Sequence, residues 1–169
     1  HILFVCTGNI CRSPMAEIYL EQLIQQKGSP YVRVSSAGII AIEGNTSPDE
    51  AIETAAQIKI DLEIHRARPL TSELVENADR ILVMAPEHAE FIETHHPEAA
   101  GKVDYLARYG DAPEGDTIPD PMGGSAFHYR SSYALIARAV QVYHNQKIMN
   151  SGAVSGSGSE ISGPPAAGT

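Results

Sequence analysis

Cys6 and Arg12 frame a five-residue loop, Thr7-Gly8-Asn9-Ile10-Cys11, and that spacing offers a sulfur nucleophile and a guanidinium on one short stretch. The apolar run Ile2 to Val5 precedes it and reads as a short buried strand. From Met15 to Gln26 apolar residues recur at helical spacing, with Ser13 placed to cap and Pro14 to open a helix. The loop therefore joins the C-terminal end of a strand to the N-terminus of a helix. Unpaired backbone N–H groups and the positive end of a helix dipole converge at such a place, and both suit an anion. The field there favours thiolate over thiol. Gly8 lets backbone approach the anion closely, and Arg12 can hold two phosphate oxygens at once. Nucleophile, oxyanion cradle and bidentate clamp together fit attack on phosphorus through a phosphocysteine.

The elements that must position this loop follow from the rest of the chain. A first helix is expected from Ser13 to Gln26, closed by Gly28, and a second strand from Tyr31 to Ser35. Ser47 is expected to cap a helix running to about Ile58, and Thr71 a short one to Asn77. Strands are expected at Arg80 to Met84 and Val103 to Leu106, with a helix from Pro86 to Thr94 between them. A last helix starts near Ser125 and runs to about Gln146. Strands alternating with helices imply right-handed crossovers and a parallel sheet covered on both faces. The expectation is an α/β single-domain, three-layer α/β/α fold over residues 1–150. Its four-stranded parallel sheet takes the flavodoxin-like order 2-1-3-4, with the loop at the topological switch point. Residues 151–169 are rich in Ser, Gly, Pro and Ala and read as a flexible tail. The chain opens at His1 directly before the first strand, so an initiator methionine and a few further residues are expected upstream.

The string VCTGNICRSPMAE, Val5 to Glu17, resembles the signature of the low-molecular-weight protein tyrosine phosphatase family. The resemblance extends over residues 1–147 or so. It implies Cys6 as nucleophile and Arg12 as phosphate binder, with Thr7, Gly8, Asn9, Ile10 and Cys11 wrapping the phosphate. It implies that Asn9 and Ser13 hydrogen-bond to shape the loop, that Ser36 contacts it, and that His65 supports Asn9. It also implies a reversible disulfide between Cys11 and Cys6 that protects the nucleophile from over-oxidation.

Ester hydrolysis also needs a proton for the leaving oxygen and a base for the attacking water. Asp120 is the candidate, on a loop stiffened by Pro121, and an Asp-Pro pair at this distance supplies the general acid in the resemblance. Substrate markers point two ways. Asp120-Pro121-Met122-Gly123-Gly124-Ser125 resembles bacterial members acting on phosphoarginine in proteins, whereas Ile10 matches the phosphotyrosine-directed members. Because Ile10 lies beside the chemistry, phosphotyrosine is the expected substrate and phosphoarginine the alternative. Ile42 is expected in the cleft wall, where many members carry an aromatic residue.

The remaining composition limits other readings. At 169 residues and net charge −9, the chain is one domain whose phosphate site must be local, and neither nucleic acid nor an anionic membrane is expected as a partner. Two cysteines make no secretory disulfide framework, and a reducing cytoplasm is expected. His88, His95 and His96 lack a regular ligand pattern and are expected on a solvated helix end, so no metal is expected. No cofactor is expected either, since loop amides and Arg12 supply the positive field; the expected partners are phosphorylated proteins and phosphate. Arsenate reductases share the loop, but their disulfide relay needs further cysteines. A phosphoprotein-binding module would lack Cys6 or Asp120. A nucleotide-binding reading lacks both Gly-x-Gly-x-x-Gly and a Walker lysine.

Overall fold

A computed structural model describes residues 1–29 and 31–152. Strand β1 (Ile2–Cys6) is buried along its whole length and pairs in parallel with β2 (Val34–Gly38) on one side and β3 (Arg80–Val83) on the other. Strand β4 (Val103–Tyr105) extends the sheet beyond β3, giving the order β2-β1-β3-β4 expected for this pattern. A strand hydrogen-bonded on both edges and covered on both faces has no use for polar residues, hence the unbroken run Ile-Leu-Phe-Val.

Side chains of β1 alternate between two cores. Ile2, Phe4 and Cys6 face helix α1 (Arg12–Lys27) and the long helix α5 (Ala126–Tyr143), packing with Met15, Leu20, Tyr129 and Tyr133. Leu3 and Val5 face the opposite side with Ile81 and Val83, under Val75 of α3 (Ser72–Asn77) and Ile92 of α4 (Pro86–His95). Helix α2 (Asp49–Gln57) completes the first layer through Ala51 and Ala55. Because Cys6 is in phase with Phe4, the sulfur ends up on the α1 and α5 side of the sheet.

Several boundaries differ from the sequence reading for physical reasons. Helix α1 begins at Arg12 with Cys11 as its N-cap, and Ser13 is not the cap; its hydroxyl is turned inward to other partners. Gly28 does close the helix, in left-handed backbone at φ 72, donating to Ile24 O. Strand β2 runs Val34–Gly38 and not Tyr31–Ser35, because register with β1 pairs Ile2 with Val34 and Cys6 with Gly38. The small residues that resemble a turn, Ser35-Ser36-Ala37, are strand residues packed closely beside the loop. Pro48, not Ser47, is the N-cap of α2, and the Ser47 hydroxyl is buried without a partner among the described residues. Thr71 caps α3 as expected, accepting from Leu74 N–H. Ser125 caps α5, whose helical path continues through a π-helical turn at His144–Met149 and on to Gly152. The expected tail thus begins inside a helix, and residues 153–169 lie outside the described residues. No described helix is long and apolar enough to cross a membrane.

Candidate active site

The loop from Thr7 to Cys11 leaves β1 at the carboxyl edge of the sheet, next to the C-terminal ends of β2 and β3, and enters α1 directly. Asn9 holds its tightest bend at φ 54, a left-handed conformation that asparagine tolerates better than most residues. Its side chain is fully buried and fully used. Nδ2 donates to Ser13 Oγ at 2.8 Å and to Ser36 Oγ at 2.9 Å, while Oδ1 accepts from the Arg68 N–H at 3.0 Å. The Asn9 carbonyl accepts from His65 Nε2 at 2.7 Å. Burial lowers the His65 pKa, which keeps that ring neutral with its proton on Nε2. Ser36 in turn donates to the half-buried carboxylate of Glu17, and Arg68 Nε donates to Ser36 O at 2.8 Å. Ser13, Ser36 and His65 therefore all converge on Asn9.

Cys6 Sγ lies 2.9 Å from Ser13 Oγ. Since Ser13 Oγ already accepts from Asn9, its own proton is free to point at the sulfur. The Arg12 guanidinium is buried behind the loop. Nη1 donates to Ile118 O at 3.0 Å, and Nη2 to Thr7 Oγ1 at 3.3 Å. Asp120 Oδ2 stands 3.4 Å from the same Nη2, and its Oδ1 accepts from the Met122 N–H at 3.1 Å. About half of the Asp120 side chain is exposed, at the mouth of a cleft. Cys6, Thr7, Gly8, Ile10, Cys11, Arg12, Asp120 and Met122 line that cleft.

Cys11 is of a different kind. Burial pushes its thiol up to about 12, so it stays protonated at neutral pH, within 4.0 Å of Tyr129 OH. Its carbonyl accepts from Tyr133 OH at 3.0 Å, which ties the loop to α5. Both cysteines are free thiols.

Two sequence expectations need correcting. Ile42 does not join the cleft lining; it is exposed, because the chain after β2 turns outward there, with Asn45 N–H donating to Ile42 O. The Ile39 and Ile40 N–H groups do donate to the Cys6 and Thr7 carbonyls, so this segment holds the loop by its backbone. His88 is not on a solvated helix end. It is completely buried at the start of α4, with Nε2 2.9 Å from Thr7 Oγ1. Its position just after the C-terminal end of β3, on the sheet edge where ligands collect, was the signal available in the sequence. Among the described residues no group of His, Cys, Asp and Glu is arranged to hold a metal ion.

The family model described as low molecular weight phosphotyrosine protein phosphatase matches residues 1–152. A probable low molecular weight protein-tyrosine-phosphatase of Ralstonia solanacearum is 41% identical over 142 residues, covering 84% of this chain and 92% of the relative. A protein-arginine-phosphatase of Bacillus subtilis is 38% identical, covering 78% of this chain and 85% of the relative. The structure of the tyrosine phosphatase Wzb from Escherichia coli K30 in complex with sulphate superposes with a TM-score of 0.78 at 35% identity. That match covers 86% of this chain and 96% of the other. The family match spans the strand, loop and helix around Cys6 together with the Asp120 loop, and the chain belongs to the low molecular weight phosphotyrosine protein phosphatase family.

Proposed function

We propose that this protein hydrolyses phosphotyrosine in protein substrates through a phosphocysteine on Cys6, with Arg12 as phosphate clamp and Asp120 as general acid and base. The observation that carries the reading is that one cleft is lined by all three, with Asp120 only 3.4 Å from the guanidinium. The Cys6 thiolate attacks phosphorus and the phenolic oxygen leaves, taking the proton of the Asp120 carboxylic acid. Asp120, now a carboxylate, removes a proton from water as that water attacks the phosphocysteine, which releases phosphate and restores the thiolate. Loop amides and Arg12 meet the charge on the equatorial oxygens, so the reaction as drawn uses no metal or cofactor. Two free thiols suit a reducing compartment, and the reading assigns the protein to cytoplasmic substrates.

The phosphotyrosine assignment rests on Ile10, which faces the cleft with an apolar side chain and no hydrogen-bonding group. The Gly-Gly-Ser part of the opposing marker has a local structural explanation. Gly123 takes φ 76, a Cβ on Gly124 would come within 2.8 Å of His128, and Ser125 with His128 forms the capping box of α5. That leaves Met122, the apolar residue after Asp120-Pro121 that lines the cleft, as the observation favouring phosphoarginine. The test is kcat/KM on matched phosphotyrosine and phosphoarginine peptides, with Cys6→Ser as the blank. Preference for tyrosine is expected. Preference for arginine would overturn the substrate assignment and keep the mechanism, whereas turnover of neither by a folded protein would overturn both.

A further inference from the structure

His88 is a wholly buried imidazole that the mechanism above does not use. It stands behind the loop, with Nε2 2.9 Å from Thr7 Oγ1, and Nδ1 has no partner among the described residues. Thr7 Oγ1 also receives Arg12 Nη2 at 3.3 Å, and Thr7 lines the cleft. Burial, reinforced by the nearby guanidinium, holds the His88 pKa down to about 4, so at neutral pH a single nitrogen carries a proton. Which nitrogen that is decides where the Thr7 proton goes. A hydroxyl has one proton and two acceptor sites, and arginine can only donate. With the proton on Nδ1, a buried N–H would be left unpaired and the Thr7 proton would be spent on Nε2. Orphaned N–H groups are rarer in folded proteins than unpaired acceptors. With the proton on Nε2, His88 and Arg12 fill both acceptor sites of Thr7, and the hydroxyl proton is free to turn into the cleft.

We propose that His88 is a positioning residue: its Nε2–H donates to Thr7 Oγ1, so that the Thr7 hydroxyl anchors Arg12 and gives its own proton to a phosphoryl oxygen. The proposal rests on the phosphatase reading of this cleft. It adds a side-chain hydroxyl contact to the loop amides and Arg12 that meet the phosphate, and it gives α4 a part in binding.

The probe is inorganic phosphate as a competitive inhibitor of p-nitrophenyl phosphate hydrolysis. Thr7→Val and His88→Leu are each expected to raise the phosphate inhibition constant about tenfold. The double variant should be no worse than Thr7→Val, because both changes break one chain of contacts. His88→Gln keeps an N–H and should restore most of the affinity. A purely structural role for His88 would lower Tm without moving the inhibition constant. An unchanged inhibition constant in His88→Leu, or additive losses in the double variant, overturns the proposal. Should His88→Leu not fold, long-range 1H–15N NMR of the wild type reads the tautomer directly. A protonated Nε2 and a bare Nδ1 are expected, and the reverse overturns the proposal. If the wild type neither hydrolyses p-nitrophenyl phosphate nor binds phosphate, the phosphatase reading fails and the proposal with it. Wild-type turnover with unaffected variants sinks the proposal alone.

Discussion

Two residues in the cleft are set up to behave differently from their neighbours. Asp120 is held by Arg12 on one oxygen and by the Met122 N–H on the other, which fixes a carboxyl in the cleft that Cys6 also lines. A general acid matters most when the leaving oxygen is strongly basic. Asp120→Ala should therefore cut kcat for alkyl and simple phenyl phosphates by about a hundredfold or more, and for nitrophenyl phosphates far less. A leaving-group series checks this, and equal losses across the series would remove Asp120 from the acid role. Cys11 is the contrasting thiol. Burial keeps it protonated well above neutral pH, and only the thiolate is nucleophilic. Iodoacetamide at pH 7 should label wild-type protein once, at Cys6, and should leave Cys11 of Cys6→Ser unmodified over the same time. Labelling of Cys11 at a rate comparable to Cys6, seen by mass spectrometry, would show that its burial is not what governs it.

At the level of elements, the loop is gripped from β2 as firmly as from its own helix. Gly38, the last residue of β2, has no room for a side chain: a Cβ would come within 2.6 Å of Thr7 O and 2.9 Å of Asn9 N. Those atoms are loop backbone and can yield only by moving the loop. Gly38→Ala is expected to cost activity out of proportion to stability, with kcat/KM down at least about tenfold and Tm lowered by a few degrees. Full activity in that variant would mean that the loop adjusts freely. The same grip explains what the sequence could and could not reveal. The strand, loop and helix carrying Cys6 and Arg12 are contiguous, and local rules suffice for them. Ser36 and His65 lie 27 and 56 positions from Asn9 and came only with the family resemblance. The true span of β2 was hidden because pairing with β1, not local propensity, makes strand of Ser-Ser-Ala-Gly. Ser13 looked like a cap because a hydroxyl before Pro usually is one; here Cys6 and Asn9 compete for it and win. For His88 the sequence offers only its place beyond the end of β3; its partner, Thr7, is 81 positions away, and no local rule pairs the two.

The whole molecule carries net charge −9, yet its cleft gathers Arg12, loop amides and a helix N-terminus, so the positive field is confined to one spot of an acidic surface. Around that spot the fold buries neutral histidines, and the consequence is global. His88 is held down to about 4 by burial with Arg12 beside it, and Asp120 opposes this only in part. His65 is lowered by burial too, with Arg68 and Arg66 acting in the same direction against its bond to Asn9. In the unfolded chain both rings take up protons near the ordinary histidine value of 6.5, while the folded protein refuses them. The unfolded state then binds more protons, so stability is intact above about pH 6.5 and falls as pH drops toward 4. For His88 alone the full loss is roughly 3 kcal/mol. Half-buried Glu17 works the other way: its raised pKa makes its ionised form a cost at neutral pH that is relieved as the solution is acidified. Urea midpoints measured from pH 7.5 to 5 should therefore decline in the wild type. The decline should be shallower in His88→Gln, whose side chain does not titrate, even though that variant starts lower by the contact it weakens. Two parallel curves would mean that His88 is not neutral in the folded state, and that the packing of α4 against the loop tolerates a charge beside Arg12.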